Sequence, residues 1–307
     1  MKHVISLKEY DGKWIESVVD LAMEIKKNPA KYASALKDKS LIMVFQKAST
    51  RTRLSFEIGM TKLGGHAVFV DARTTHLSIS KVGDEAKVMS RYGDAIMVRP
   101  MKNETVTEFA RVSRVPVING LCEKYHPCQA LADLMTIKEK LGKLEGAKVV
   151  YLGIANNVSN SLAMACTKTG AKFTLCVPEK DPDSLDDEHL SMLKATGNYT
   201  EEADIGKAVP GADILYTDTW VNMEFFNDPK FAEEKARREK VFMPYQLNKA
   251  MLEKAGPQAS SMHDMPAHID FEIDEYALRG PRSLAFDQAE NRMWAQMALL
   301  IKLIGEK

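Results

Sequence analysis

No apolar run in this sequence approaches the roughly twenty residues that a helix needs to cross a bilayer, which excludes a helical membrane span. An excess of either charge is also missing. Forty-two basic residues balance forty-two acidic ones, so no global field draws the chain to nucleic acid or anionic lipid, and any basic group that matters acts locally. Cysteine is scarce. Its four copies, Cys122, Cys128, Cys166 and Cys176, lack paired metal-site spacing and two lie in apolar runs; buried free thiols in a reducing cytoplasm are the simplest account. Glycine is absent where two common phosphate loops require it. None lies between Phe45 and Ile58, and Gly153-Ile154-Ala155-Asn156-Asn157, at a strand-to-helix turn, lacks the G-x-G-x-x-G pattern, which argues against dinucleotide binding. The first 28 residues hold no apolar stretch of signal-peptide length and read as a strand followed by an amphipathic helix, so a cytoplasmic location is expected. No internal repeat or low-complexity segment is evident.

What is present is an ordinary globular composition. At 307 residues, 45% apolar and 27% charged, the chain suits two domains of about 150 residues with substantial cores. Short apolar runs alternate with helical patterns almost throughout, the signature of α/β architecture with parallel strands. The first half offers strands at Leu41–Phe45, Ala67–Val70, Ala95–Val98 and Val115–Asn119. His126-Pro127 then opens a helix carrying Leu131, Leu134, Met135 and Leu141 and closed by Gly142, the candidate crossing between domains. The second half restarts with a strand at Lys148–Gly153, a helix at Val158–Thr169, and strands at Lys172–Val177 and Asp213–Thr217. Phe225 to Lys240 is charge-rich and helical in pattern, either a solvated surface helix or a lid. Asp287-Gln288-Ala289-Glu290 reads as a capping box ahead of a final helix striped by Met293, Met297, Leu300, Ile301 and Ile304.

Residues 45 to 53, Phe-Gln-Lys-Ala-Ser-Thr-Arg-Thr-Arg, carry the most chemistry. A buried strand here feeds a helix over Thr52 to Leu63, with Leu54/Ile58 and Phe56/Met60/Leu63 at helical spacing and Gly64-Gly65 as the stop. The turn leaves backbone N–H groups unpaired, and the helix dipole favours an anion beside them. Ser49, Thr50 and Thr52 add hydroxyls, while Lys47, Arg51 and Arg53 add fixed positive charge, a set that phosphate matches well. A Ser/Thr-capped helix with solvated basic residues is the plain alternative. Three basic residues within seven positions would then repel each other without an anion.

Ser49-Thr50-Arg51-Thr52-Arg53, Asp94-Ala95-Ile96-Met97-Val98-Arg99 and His126-Pro127-Cys128-Gln129 together resemble the carbamoyl-phosphate half of the aspartate/ornithine carbamoyltransferase family. Thr217-Asp218-Thr219-Trp220-Val221-Asn222-Met223 and Ala289-Glu290-Asn291-Arg292 resemble its ornithine branch, and the matches keep their order over nearly the whole chain. The resemblance implies two doubly wound parallel-sheet domains with the site in the cleft between them and the C-terminal helix packing back on the first domain. By it, residues 1–133, completed by 287–307, would bind carbamoyl phosphate, and 134–286 would bind the amino-acid acceptor. It also implies a homotrimer or a multiple of trimers, in which His76 would reach a neighbour's carbamoyl phosphate; Ser78 and Lys81 depart from the pattern that usually follows. No cofactor is expected.

Carbamoyl transfer is attack of a neutral primary amine on a carbonyl carbon as phosphate leaves. Ser49, Thr50, Arg51, Thr52 and the helix N-terminus would hold the leaving phosphate. By resemblance Arg99 and His126, with Thr52, would serve the carbonyl oxygen, Gln129 the carbamoyl NH2, and Arg292 the same ligand from the final helix. The plain alternatives are His126 as a helix cap, Arg99 as a strand-end arginine and Arg292 as a rim charge paired with Glu290. On the acceptor side Asp218 would bind the α-ammonium and Asn157 the carboxylate, with Asn222 and Met223 closing over them. Asn222 stands where the ornithine pattern has serine, and Glu224 where it has glycine. His263-Asp264-Met265-Pro266 replaces the usual His-Cys-Leu-Pro, so a carboxylate, Asp264, meets the reacting amine beside Met265 in place of a thiol. Asp264 would accept a hydrogen bond from that amine or help remove its proton, while also favouring the cation. A metal on His263, Asp264 and His268 is disfavoured because Pro266 breaks the spacing that would align them. The expected activity converts L-ornithine and carbamoyl phosphate to L-citrulline and phosphate. The alternatives are transfer to lysine, a shorter diamino acid or putrescine, and a silent homologue that only binds carbamoyl phosphate. An aspartate acceptor fits poorly, since the second domain's loops are acidic or apolar.

Overall fold

A computed structural model describes residues 2–223 and 225–305. Met1, Glu224, Glu306 and Lys307 lie outside them, and with Glu224 goes the glutamate-for-glycine departure noted in the sequence. The chain divides into two compact units, one made of 1–135 and 290–307, the other of 136–289. Both are parallel α/β sheets flanked by helices.

In the first unit β1 (Ser40–Phe45), β2 (His66–Asp71), β3 (Ala95–Arg99) and β4 (Val117–Asn119) lie in the order β2-β1-β3-β4, every pair parallel. Its helices are α1 (Gly12–Lys27), α2 (Thr50–Lys62), α3 (Val82–Met89), α4 (Asn103–Val112) and most of α5 (Pro127–Leu141). Ile42, Val44, Ile96, Val98 and Val117 pack against Val106 and Phe109, which is why these strands read as unbroken apolar runs. The segment before α1 contributes only a bridge, Val4 to Ile118, rather than the strand expected there. Helix α2 starts two residues earlier than its apolar pattern, because the extended Ser49 caps it and accepts from Thr52 N–H. Of the two stripes read on α2, Phe56, Met60 and Leu63 are buried, whereas Leu54 and Ile58 are 48% and 43% exposed. Positions 54 and 56 lie about 200° apart around a helix, so only one stripe can face the sheet.

The second unit orders β5 (Lys148–Ala155), β6 (Lys172–Lys180), β7 (Tyr199–Glu201), β8 (Ile214–Thr217) and β9 (Ser260–His263) as β7-β6-β5-β8-β9, again all parallel. Helices α6 (Asn157–Lys168), α7 (Asp187–Ala195), α8 (Ile205–Ala208), α9 (Ala232–Phe242), α10 (Lys249–Ala255), α11 (Glu275–Arg279) and the first turns of α12 (Ala285–Ile304) accompany them. Val150, Leu152, Leu215, Leu252 and Ile273 belong to its core. Among the described residues no helix is long and apolar enough to cross a membrane, and all four cysteines are buried and free.

The starts of α9 and α12 also differ from expectation. Helix α9 begins at Ala232 instead of Phe225, since Asp228 caps a 3-10 turn at Pro229, whose ring supplies no N–H. Only Phe242 of α9 is buried. Helix α12 begins at Ala285, where Ser283 Oγ accepts from Ala285 N–H at 3.3 Å. Asp287 therefore sits inside the first turn and is not the head of a capping box.

In both sheets the strand order reverses once, between β1 and β3 and between β5 and β8, and the loops at the carboxyl ends diverge there. Gly153, near the end of β5, has φ +103°, and a Cβ on it would lie 2.6 Å from Trp220 Nε1. Gly153→Ala is expected to cost roughly 2–4 kcal/mol through strain and overpacking. A urea midpoint equal to the parent's would contradict this.

Candidate active site

The first unit gathers its polar side chains at the carboxyl ends of β1, β3 and β4. Ser49 follows β1 and donates through Oγ to Thr52 Oγ1 at 3.1 Å. Arg99, the last residue of β3 and 8% exposed, donates through Nη1 to Thr52 Oγ1 at 3.3 Å and to the Gly120 carbonyl at 3.4 Å. Past β4, Asn119 pins the following loop by donating to Ile5 O and accepting from Leu121 N–H, and the chain then reaches the buried His126 ahead of α5. Arg292, from the part of α12 that belongs to this unit, is 2% exposed. It donates to Gln129 Oε1 at 2.6 Å and to Thr52 Oγ1 at 3.3 Å. Two buried guanidinium groups thus converge on one hydroxyl in the first turn of α2. Such a concentration of cation and N–H dipole accommodates a polyanion.

The second unit builds its cluster at the ends of β5, β8 and β9. Asp218, buried just beyond β8, accepts from Asn156 Nδ2 at 2.6 Å across the reversal in strand order and from Thr219 N–H at 2.6 Å. Asn156 in turn caps α6 through a capping box with Ser159. His263 ends β9 fully buried; its Nδ1 accepts from Met265 N–H at 2.8 Å, so its proton sits on Nε2, 3.3 Å from Glu272 Oε1. Asp264 follows, with Oδ1 3.6 Å from His263 Nδ1. Asp218, His263 and Asp264 each bring a potential ligand atom within 4.8 Å of the others, the spacing of a metal site. The single lone pair of His263 is already engaged by Met265 N–H, so a metal there would have to break that bond. His268, the third residue weighed for a metal, turns instead to Thr219 Oγ1 at 3.1 Å and Glu272 Oε2 at 3.4 Å and stacks on Phe226. An anionic cluster of this kind suits a cationic amine.

Residues 2–139 match the family model for the carbamoyl-P binding domain of aspartate/ornithine carbamoyltransferase, and 145–303 match that for its Asp/Orn binding domain. The chain belongs to the aspartate/ornithine carbamoyltransferase family. An ornithine carbamoyltransferase of Bacillus subtilis is 42% identical over 304 residues, covering 97% of this chain and 92% of that protein. One from Methanoculleus marisnigri is 41% identical over 306 residues, covering 98% and 96%. The solved ornithine carbamoyltransferase of Pyrococcus furiosus superposes with a TM-score of 0.91 at 39% identity, covering 100% of this chain and 98% of that one.

Within this family member the structure brings Ser49, Thr52, Arg99, Gln129 and Arg292 together, with His126 close enough to feel Arg292, Arg99 and Arg51. Thr50 is exposed and lines a groove of about 560 Å³ on the outer side of α2, away from Thr52. Arg53 also leaves the cluster, contrary to its sequence assignment; Glu57 and the Phe69 ring hold it at the surface. His76 is exposed on a 3-10 turn. Arg292 does not pair with Glu290, whose carboxylate accepts from Trp294 Nε1. In the second unit Asp218 and Asp264 come together, while Met265 packs toward the core, Met223 is half-buried and Asn222 is exposed. Asn157 opens α6, and the neighbouring Asn156 is what bonds Asp218. Sequence reasoning passed over Asn156, Glu272 and Asp133. The Asn-x-x-Ser spacing of 156 and 159 was the available signal for the first, and the i, i+4 relation of Gln129 to Asp133 for the last.

Burial, reinforced by Arg292, Arg99 and Arg51, drives His126 well below its ordinary 6.5, so the imidazole stays neutral. Burial likewise pushes the Cys128 thiol up to about 12 although Arg292 and Arg99 pull it down, leaving an inert thiol. Glu272 is the opposite case. Burial alone would raise it, but hydrogen bonds from His263 and His268 hold it at about 2. Its contribution to stability is present above the ordinary 4.5 and is lost as pH falls toward 2.

For His126 the unfolded chain binds the proton that the native state refuses. Native stability is complete above 6.5 and declines as pH falls below it, by up to about 1.4 kcal/mol per unit from this side chain. His126→Gln should flatten the change in urea midpoint between about pH 7.5 and 5.5. An identical pH dependence in parent and variant would contradict the buried neutral histidine.

Proposed function

We propose that this chain is an ornithine carbamoyltransferase, transferring the carbamoyl group of carbamoyl phosphate to the side-chain amine of L-ornithine and releasing L-citrulline and phosphate. The observation that carries the proposal is the convergence of Arg99 and Arg292 on Thr52 at the head of α2. Relatives named ornithine carbamoyltransferase, about 40% identical over nearly the full chain, support the same activity.

In this account residues 1–133, completed by 287–307, bind the donor and 134–286 the acceptor. Phosphate sits on the N–H groups of the first turn of α2, that of Thr50 among them, with the side chains of Ser49, Arg51 and Thr52. The carbonyl oxygen faces Arg99, neutral His126 and Thr52, so charge developing in the tetrahedral state meets fixed donors instead of reorganising water. His126, being neutral, contributes an N–H without adding a fourth positive charge to the three arginines around it. Gln129 takes the carbamoyl NH2, and Arg292 reaches the donor from α12. Asp218 and Asp264 receive the amine, and Asp264 accepts its proton as the new C–N bond forms. Asn157, Asn222, Met223 and Met265 complete the acceptor site. Holding donor and amine in line supplies several kcal/mol of the barrier.

We also propose a homotrimer or multiple of trimers, with Leu54 and Ile58 covered between copies and His76 directed to a neighbour's donor. A reducing cytoplasm suits the buried free thiols.

One observation favours a second acceptor. Paired carboxylates at 218 and 264 place more negative charge at the amine than a thiol would, which suits putrescine or another diamine. Steady-state rates with ornithine, lysine, a shorter diamino acid and putrescine distinguish them. Ornithine is expected to give the highest kcat/KM; negligible turnover beside good activity on another amine would replace it, and none with any amine would leave a silent binding protein. Asp264→Asn should lower kcat by about tenfold or more and alter the pH profile. Its carbamoyl phosphate affinity should stay within about twofold. Parent-like kinetics would reduce Asp264 to a structural role.

A further inference from the structure

Asp133 lies on α5 one turn beyond Gln129 and is wholly buried. Its Oδ1 accepts from Gln129 Nε2 at 2.8 Å, while Gln129 Oε1 accepts from Arg292 Nη1 at 2.6 Å. A carboxylate can only accept and a guanidinium can only donate. With one on each side, a single orientation of the Gln129 amide is chemically allowed, nitrogen toward Asp133 and oxygen toward Arg292. Gln129 is itself 1% exposed, so turning the amide over would leave two mismatched buried pairs.

We propose that Asp133 is a positioning residue that makes the site read the NH2 of an acyl phosphate. By anchoring Nε2 it keeps Oε1, which has a second lone pair, aimed as an acceptor at the place where Arg292 points. A carbamoyl group offers an N–H there; an acetyl group of the same size offers only a methyl. When Arg292 turns to the donor, Asp133 remains the contact that holds the amide. Asp133 touches no substrate and acts through Gln129. The inference rests on the reading that this cluster binds carbamoyl phosphate.

The test compares equilibrium affinities for carbamoyl phosphate, acetyl phosphate and inorganic phosphate. The parent protein should prefer carbamoyl over acetyl phosphate by about tenfold or more, since a buried acceptor rejects a ligand that cannot donate to it. Asp133→Ala should cut that preference at least about fivefold while phosphate affinity stays within about twofold. Asp133→Asn, whose amide oxygen can still accept from Gln129, should retain the preference. Asp133→Leu, nearer in volume, stands in if the alanine variant does not fold. An undiminished preference overturns the proposal. So does an equal weakening of all three ligands, or failure of both variants to fold, since each assigns Asp133 to scaffolding alone. Absence of carbamoyl phosphate binding by the parent protein would instead overturn the underlying functional reading.

Discussion

Two guanidinium groups sharing one threonine hydroxyl set the terms for the first unit. Arg99 and Arg292 are each less than a tenth exposed, and both aim at Thr52. Burying like charges together is costly unless something of opposite sign is bound or nearby. The surroundings are arranged around that cost. Gln129 takes one arginine through its oxygen, Gly120 O takes the other, and the buried His126, which feels both, stays neutral. What remains is a cationic cluster biased toward an anion before any ligand arrives. Preorganisation of this kind spares the reaction the work of orienting dipoles as charge develops.

Topology explains why these residues meet. Each sheet reverses its strand order once, and part of each cluster follows the strands that flank the reversal. β1 and β3 deliver Ser49, Thr52 and Arg99 in one unit; β5 and β8 deliver Asn156 and Asp218 in the other. The two clusters have opposite character, guanidinium in the first and carboxylate in the second. A phosphorylated acyl donor and a cationic amine are the pair of ligands that this division of charge fits.

Much of this was legible in the sequence, for physical reasons. Fully buried parallel strands are continuous apolar runs, so β1, β3 and β5 stand out, and helix α5 is bracketed by Pro127 at its start and Gly142 just past its end. β7 and β9 were not legible. The first is a three-residue edge strand, and the second, Ser-Ser-Met-His, buries polar residues whose partners lie far along the chain, as Ser261 Oγ does on Ala277 O. Local charge misled in one place: Arg53 sits two residues from Arg51 but projects to the opposite side of α2, where Glu57 neutralises it. Ser49, Thr52, Arg99, Gln129 and Arg292, which lie in sequence motifs, come together in the structure, whereas Asp133, Asn156 and Glu272 act on other side chains and leave at most a local spacing in the sequence.

If the arginine–threonine focus is the donor site, it binds carbamoyl phosphate by itself, before any amine. Calorimetric titration of carbamoyl phosphate into the protein without an acceptor tests it most directly. The account predicts one ligand per chain, displaced by inorganic phosphate and weakened about tenfold or more by Arg99→Met. No binding, or binding that Arg99→Met leaves unchanged, would contradict it.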